Sequence, residues 1–205
     1  MTAAFWDKRS KKYDDAITKH DDVYKKTIET STSLLSSSDT VLDFGCGSGE
    51  MSLDIAPLVR RLHGIDTSAN MIELANQKAR DRRVDNVDFS QMDVFDRGLG
   101  TNSFSAIVAF NIFHLVEDVS KVLARLNDLL VAGGLLISQT PCLGDRNFAF
   151  RYLITILQKV GVAPAILSLT TDSLESLVSS AHFEIDESKI WDEKNAIQWI
   201  VARKS

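Results

Sequence analysis

Cysteines and long apolar runs are scarce in this chain of 205 residues, and each scarcity excludes a class of protein. Its 2 cysteines, Cys46 and Cys142, lie far apart, so neither a disulfide framework nor a zinc site is indicated. The longest apolar run, residues 129–137, contains two glycines and is too short to cross a bilayer. Residues 7–9 are charged where a signal peptide needs apolar residues. We therefore expect a cytoplasmic protein with no membrane span and no metal site.

A strong excess of positive charge is also absent. The chain has 23 lysines and arginines against 28 acidic residues, a formal net charge of -5. The two basic clusters, residues 8–12 and 80–83, are typical of solvated helix faces. A nucleic-acid surface needs a basic field that gathers phosphates. Nucleic acid is therefore not an expected partner.

Short apolar runs alternate with amphipathic segments from residue 40 onward, which indicates strands alternating with helices. The predicted strands are residues 40–44, 61–66, 87–89, 104–110, 135–137, 182–190 and 196–202. Helices are expected at residues 49–56, after an N-cap at Ser68, and after an N-cap at Asp118 with Gly133 as the stop. Asp172 and Glu175 have the spacing of a capping pair for a last helix.

This order of elements predicts an α/β fold. Parallel strands joined by right-handed crossovers give a doubly wound, mostly parallel seven-stranded sheet with helices on both faces. The last two predicted strands lie close together in the sequence, so we expect them to form an antiparallel hairpin at the sheet edge.

The residues at the strand ends are the candidates for function, because ligands of open α/β sheets bind past the carboxyl ends of the strands. A glycine-rich loop, residues 45–49, stands between the first strand and the following helix. Glycines there allow a sharp turn and a close approach of backbone amides to a ligand. A tight turn of purely structural origin would use glycine as well, so the loop alone is weak evidence.

Three aspartates at successive strand ends strengthen the interpretation. Asp43 precedes the loop, Asp66 ends the second strand, and Asp93 follows the third. Asp66 can accept hydrogen bonds from both hydroxyls of a ribose, and Asp93 can accept one from an adenine amino group. Because like charges repel, acids grouped at one sheet edge indicate a ligand that they stabilise.

A nicotinamide dinucleotide and S-adenosylmethionine both contain an adenine and a ribose, so the two cofactors must be distinguished. The dinucleotide fingerprint has its glycines in the order G-x-G-x-x-G, but Glu50 occupies the last required position. A glutamate beside a pyrophosphate would repel it, whereas the sulfonium and amino groups of S-adenosylmethionine are cationic. The sequence therefore favours S-adenosylmethionine.

Five segments resemble the motifs of class I S-adenosylmethionine-dependent methyltransferases, in the order and spacing of that family. They are residues 41–49, 64–71, 92–94, 104–111 and 132–136. The opening residues 5–9, with Tyr13 and Asp14, resemble the small-molecule and quinone-type branch of the family. The resemblance implies a Rossmann-like methyltransferase fold and methyl transfer by in-line displacement.

The resemblance also implies a role for each matching residue. It implies that the methionine part of the cofactor is contacted by Asp43, Gly45, Gly47 and Gly49. It implies that the ribose and adenine are contacted by Asp66, Thr67, Met71, Asp93 and Val94. Phe110 and Asn111 would lie beside the sulfonium, and Tyr13 would close over the site from an N-terminal helix.

The resemblance does not identify the methyl acceptor or the atom methylated. We expect a small, partly apolar acceptor, because aromatic residues are frequent after residue 143; a helix that merely covers the sheet is the alternative reading of that segment. His114 follows the fourth strand and is the one candidate general base, although a histidine in a loop is more often a structural hydrogen-bonding residue. The alternative function is a non-catalytic S-adenosylmethionine-binding protein that acts as a partner or sensor. The oligomeric state stays open.

We expect a single methyltransferase domain over residues 1–205. Residues 1–38 would form an N-terminal helical cap and residues 39–141 the cofactor-binding core. Residues 142–172 would form a substrate-side helix or lid, and residues 173–205 the C-terminal helix and strands.

Overall fold

A computed structural model of the chain describes residues 3–17, 21–159, 164 and 166–205. Within these residues the α-helices are α1 (Ala3–Ile17), α2 (Asp21–Leu34), α3 (Glu50–Ile55), α4 (Ala69–Arg82), α5 (Val119–Leu129), α6 (Phe148–Lys159) and α7 (Thr171–Ser180). The strands are β1 (Thr40–Phe44), β2 (Arg61–Asp66), β3 (Val87–Gln91), β4 (Phe104–Phe110), β5 (Leu130–Pro141), β6 (Phe183–Asp192) and β7 (Ile197–Lys204). None of the described helices is long and apolar enough to cross a membrane.

The seven strands form one sheet in the order β3-β2-β1-β4-β5-β7-β6. Strands β1 to β5 pair in parallel, while β7 is antiparallel to both β5 and β6. The predicted fold and the predicted C-terminal hairpin at the sheet edge are therefore confirmed. Chain order reverses between β1 and β4, and a ligand crevice is expected past the carboxyl ends of these two strands.

The core explains why these segments became strands and helices. β4 is apolar on both faces, and Ile107 and Val108 are completely buried within the sheet. α5 places Val122, Leu123 and Leu126 on one buried face at helical spacing. The predicted N-caps are confirmed: Ser68 accepts a hydrogen bond from the Met71 amide and Asp118 accepts one from the Lys121 amide.

The predicted end of α5 at Gly133 is wrong. α5 ends at Leu129, and Leu130 is already extended and paired with Phe104 of β4. Gly133 has a φ of 71° inside β5, where the pairing with β4 is irregular before it resumes at Leu135. A glycine with positive φ accommodates such a bulge as readily as it ends a helix, so its sequence signal was ambiguous.

The predicted capping pair of Asp172 and Glu175 is also wrong. Thr170 is the N-cap of α7, and Ser173 completes the capping box. Asp172 lies within the first turn of the helix. Glu175 instead accepts hydrogen bonds from the Ser188 hydroxyl and from Gln198 Nε2, and so joins α7 to the C-terminal hairpin.

The two N-terminal helices are attached to the sheet beside its strand ends. In α1, Asp7 accepts a hydrogen bond from the hydroxyl of Ser68, the residue that caps α4. In α2, the Thr27 hydroxyl donates to Gln139 Oε1 at 2.9 Å, a buried bond to the carboxyl end of β5. These bonds place α1 and α2 next to the crevice that the topology predicts.

Candidate active site

A cavity of about 460 Å³ lies at the carboxyl ends of β1, β2, β4 and β5. The rest of its wall comes from the N-terminal helices, from the starts of α3 and α4, from the segments that follow β4 and β5, and from the start of β7 with the residues before it. The predicted site residues that line it are Asp43, Gly45, Gly47, Asp66, Met71, Phe110, Asn111 and His114. The fold therefore brings eight of the predicted residues to one cavity.

The glycine loop turns sharply between β1 and α3. The amides of Gly45 and Cys46 both donate to the Ile65 carbonyl of β2, at 2.9 and 3.0 Å. Gly45 has a φ of 77°, and a Cβ built on it would lie 2.6 Å from Cγ1 of Ile112. Only glycine meets both requirements without strain. The loop is thus held in place so that its backbone forms part of the cavity wall.

Asp66 is the best-oriented carboxylate of the cavity. Its Oδ1 accepts from the Ser68 amide at 2.8 Å and its Oδ2 accepts from the Gly47 amide at 3.1 Å. Burial raises the pKa of Asp66, and these backbone hydrogen bonds oppose the increase. The carboxylate is fixed between the glycine loop and the start of α4, with its remaining lone pairs available to a ligand.

Asp43 is more deeply buried, with 3% of its surface exposed. The Ser52 hydroxyl of α3 donates to its Oδ2. Burial raises the pKa of Asp43 to about 7, and the nearby charge of Asp66 acts in the same direction. A cation in the cavity would favour ionisation of this carboxyl group, so Asp43 and Asp66 together fit a positively charged ligand.

Four predicted residues lie in the structure but outside the cavity lining. Asp93 Oδ1 accepts from the amide of Phe95, and Val94 is a buried core residue whose carbonyl accepts from Arg125. Thr67 has a buried hydroxyl without a hydrogen-bond partner among the described residues. A Cβ on Gly49 would lie 2.8 Å from the Phe89 ring and 2.9 Å from Ala75. Gly49 therefore has a packing role, and binding by these four residues stays a prediction.

Tyr13 cannot be placed in the cavity. It belongs to α1, but its side chain lies outside the described residues. Two other aromatic residues of the N-terminal helices, Trp6 and Tyr24, line the cavity and were not predicted to do so. The Tyr24 hydroxyl donates to Asp54 Oδ2 of α3 at 2.7 Å, and burial raises the pKa of this phenol. The sequence feature that could have identified them is that both are large aromatic side chains in amphipathic helices.

His114 lies in a short 3₁₀ turn, Phe113–Leu115, directly after β4. Only 9% of its surface is exposed, and its Nδ1 has no hydrogen-bond partner in the described part of the chain. Burial lowers the pKa of His114 to about 4. The imidazole is therefore neutral at neutral pH. It can exchange a hydrogen bond with a ligand, but it is a weaker base than an ordinary histidine.

The cavity lining contains both acidic and apolar residues. The acidic residues are Asp43, Asp66 and Glu50, which lie at the ends of β1 and β2 and at the start of α3. Glu50 carries less uncompensated charge than the sequence alone indicates, because Lys78 lies 2.7 Å from it and Arg82 pairs with its other oxygen. The larger apolar residues of the lining are Trp6, Val23, Met51, Met71, Phe110, Ile112, Leu115, Pro141, Leu143, Phe150 and Ile197.

The segment after β5 contributes a pocket wall, as one of its two readings predicted. Leu143, Arg146 and Phe150 line the cavity. Other aromatic residues of α6 face outward: Phe148 is 81% exposed and Tyr152 is 60% exposed. Gln139, which is 2% exposed, also lines the cavity at the end of β5. A polar residue within an apolar strand was the signal that could have identified it.

Comparisons with known proteins agree with this geometry. A family model described as a methyltransferase domain matches residues 35–202. Aklanonic acid methyltransferase DauC from Streptomyces sp. (strain C5) is 31% identical over 115 residues, which are 55% of this chain and 52% of that protein. A demethylmenaquinone methyltransferase from Porphyromonas gingivalis is 36% identical over 78 residues, 36% of this chain and 32% of that protein.

The chain thus spans about half the length, or less, of these two curated relatives. Among solved structures, the YcgJ protein from Bacillus subtilis superimposes with a TM-score of 0.72 at 14% identity. That alignment covers 88% of this chain and 98% of YcgJ. At this low identity the likeness shows a shared fold.

Proposed function

The chain belongs to the methyltransferase domain family, the S-adenosylmethionine-dependent class that its motifs resemble, and we propose that it methylates a small, partly apolar acceptor. The observation that carries the proposal is the cavity itself. Asp43 is buried and Asp66 is partly buried at the ends of β1 and β2, and apolar residues that follow β4 and β5 line the same cavity. The two carboxylates fit a cationic methyl donor, and the apolar residues fit the acceptor.

We assign the cofactor to the crevice between β1, β2 and β4. Asp66 would accept hydrogen bonds from the ribose hydroxyls, because the Ser68 and Gly47 amides already hold its carboxylate in place. Asp43 would face the cationic amino group of the methionine part. Met71 lines the cavity beyond Asp66, where it would contact the adenine.

The chemical demand on the protein is small. S-adenosylmethionine supplies a methyl group already activated by a positive sulfur, so no protein nucleophile is required. The chain has to align the acceptor and exclude water, and alignment alone can contribute roughly 7–11 kcal/mol. The apolar wall around Phe110, Leu115 and Phe150 would exclude water from that part of the cavity.

His114 fits an orienting role in this scheme. A neutral imidazole with a buried, unpartnered nitrogen can hydrogen-bond a hydroxyl or amine of the acceptor. Its lowered pKa makes it a poor proton acceptor. We therefore propose that His114 positions the acceptor, and that the acceptor is nucleophilic without strong general-base assistance.

Calorimetric titration of the purified protein tests the first half of the proposal. S-adenosylhomocysteine should bind and NAD should not. The Asp66→Asn variant should bind S-adenosylhomocysteine about 10- to 100-fold more weakly, since a charge-assisted hydrogen bond contributes about 1.5–3 kcal/mol. Asp88→Asn is the matched control, because Asp88 lies on β3 outside the cavity and pairs with Arg61.

Catalysis is tested by release of S-adenosylhomocysteine from S-adenosylmethionine in pools of small acceptors. Turnover with an apolar acceptor supports the proposal. Tight cofactor binding without turnover across phenols, carboxylic acids, amines and thiols would instead favour the non-catalytic partner or sensor. NAD binding in the absence of S-adenosylhomocysteine binding would overturn both readings.

A further inference from the structure

Arg146 stands on the acceptor side of the cavity, in the connection between β5 and α6. The backbone around it is held at three points. The Cys142 amide donates to Ala196 and the Gly144 amide donates to Leu169, both at 2.7 Å. The carboxylate of Asp145 accepts from the Thr171 amide at 2.8 Å. These bonds fix the connection from both sides, and they direct the adjacent acid, Asp145, to α7.

The guanidinium of Arg146 has no anionic partner in the described part of the chain. Its Nε is buried and makes no hydrogen bond to the residues that the structure describes. The group lies over the ring of Phe150, with 4.7 Å between the guanidinium carbon and the ring centroid. A contact with a ring face supplies no hydrogen-bond acceptor in the plane of the guanidinium, so it leaves the Nε donor unsatisfied. A buried donor in that state favours a ligand that carries an acceptor.

The distribution of charge around the cavity indicates which kind of ligand this donor would bind. Arg146 is the only lysine or arginine among the described residues that line the cavity. Asp43 and Asp66 stand on β1 and β2, and β4 separates these strands from β5, which Arg146 follows. Glu50 already pairs with Lys78 and Arg82. An isolated cation beside an apolar wall matches a ligand that is apolar over most of its surface and anionic at one end.

We propose that Arg146 binds a carboxylate of the methyl acceptor, so that the acceptor is an apolar, aromatic carboxylic acid. The inference rests on the proposed function, because it assigns this side of the cavity to the acceptor. A guanidinium presents parallel N–H donors that match the two oxygens of a carboxylate. The Phe150 ring and Leu143 would contact the apolar body of the same molecule.

A pair of matched probes tests the proposal: 2-naphthoate, which carries a carboxylate, and 2-naphthamide, which has the same shape without the charge. Each is titrated calorimetrically with and without saturating S-adenosylhomocysteine. The unmodified protein should bind naphthoate at least 10-fold more tightly than naphthamide. Arg146→Gln should weaken naphthoate about 10- to 100-fold and leave naphthamide within about twofold.

Arg97→Gln is the control, because Arg97 is an exposed arginine outside the cavity lining. It should change neither affinity. An equal loss of both probes in Arg146→Gln, an unchanged naphthoate affinity, or no binding of naphthoate to the unmodified protein would each overturn the inference.

The affinity for S-adenosylhomocysteine distinguishes a failure of the Arg146 assignment from a failure of the proposed function. If Arg146→Gln weakens S-adenosylhomocysteine but not naphthoate, Arg146 binds the carboxylate of the cofactor and the inference is overturned. If the unmodified protein does not bind S-adenosylhomocysteine at all, the proposed function fails. The titrations without S-adenosylhomocysteine then still decide whether Arg146 selects carboxylates.

Discussion

Among the residues that line the cavity, those of the cofactor side and those of the acceptor side differ in how their polar groups are satisfied. On the cofactor side, Asp66 accepts from two backbone amides and Asp43 accepts from the Ser52 hydroxyl. On the acceptor side, His114 Nδ1 and Arg146 Nε are buried without partners among the described residues. Buried polar atoms are normally hydrogen-bonded, so such exceptions need an explanation. A ligand would supply the missing partners, and the cofactor side is already organised before one binds.

The two sides also differ in what their sequences reveal. The cofactor side is built from residues at the ends of strands, where the topology alone brings them together. The acceptor side is built from a connection and from helices whose neighbours are distant in the sequence. Variants on either side of the cavity test this contrast.

Asp43 should make the ligand-free protein less stable as the pH rises. Its pKa of about 7 in the folded state lies above the ordinary value of 3.8, so folding favours the protonated carboxyl group. This contribution to stability is fully present below about pH 4 and is lost as the pH rises through about 7. Asp43→Asn removes the cost of the buried charge. At pH 8 it should be more stable than the unmodified protein by roughly 2–4 kcal/mol.

Urea unfolding at pH 4 and pH 8 measures this effect. The two proteins should have similar stability at pH 4 and diverge at pH 8, where Asp43→Asn should also bind S-adenosylhomocysteine more weakly. Asp88→Asn, the exposed acid of β3, should show no such divergence. Equal stability of Asp43→Asn and the unmodified protein at pH 8 would mean that the carboxylate is not desolvated.

Asp66 tests whether the preorganised carboxylate is used by a ligand. Asp66→Ala should weaken S-adenosylhomocysteine by about 1.5–3 kcal/mol, because the ribose hydroxyls lose a charged acceptor. The fold should be retained, since Asp66 lies at a strand end and contributes little to the apolar core. Affinity is measured by calorimetry and folding by the thermal midpoint. A calorimetric affinity unchanged within error would remove Asp66 from the proposed site.

Tyr24 tests the attachment of α2 over the cavity. Tyr24→Phe removes the hydrogen bond to Asp54, which should cost about 0.5–1.5 kcal/mol of unfolding free energy. Tyr152→Phe is the control, because Tyr152 is largely exposed on α6. Urea unfolding of both variants at pH 7 is the measurement. If the two lose equal stability, the Tyr24 bond does not hold α2 in place.

The contrast between Tyr13 and Tyr24 shows where prediction from sequence stopped. Both are tyrosines in amphipathic N-terminal helices, and helical periodicity does not identify which one faces a distant strand end. The residues of β1, β2 and β4 posed no such difficulty. β1 and β4 are mostly apolar runs, β2 is a short segment that ends at Asp66, and all three strands match the predicted residues. Because the strands were predicted correctly, the positions of Asp43 and Asp66 at the sheet edge were predicted as well.

Local signals failed where one residue type serves two structures. Gly133 would suit a helix end, and it also suits the bulge in β5 that the structure contains. Asp93 lies near the carboxyl end of a strand as Asp43 and Asp66 do, but β3 is an edge strand of the sheet and Asp93 is outside the cavity lining. The position of Arg146 depends on hydrogen bonds that neighbouring residues 142, 144 and 145 make to residues 196, 169 and 171, and no local pattern shows them.

His114 should give the smallest effect and tests whether the acceptor side contributes chemistry or only orientation. Its pKa of about 4 keeps the ring neutral throughout the working range, and a base that weak gains little from accepting a proton. We expect His114→Ala to lower the single-turnover rate of methyl transfer by less than about tenfold, with cofactor affinity unchanged. The measurement uses an acceptor found in the screen, at pH values from 6 to 9. If His114 is the general base, its removal should lower the rate about 10²–10⁴-fold. The difference between the variant and the unmodified protein should then become smaller at high pH, where the acceptor ionises unaided. That pattern would make His114 the general base. A small loss independent of pH would leave alignment by the cavity as the source of the rate.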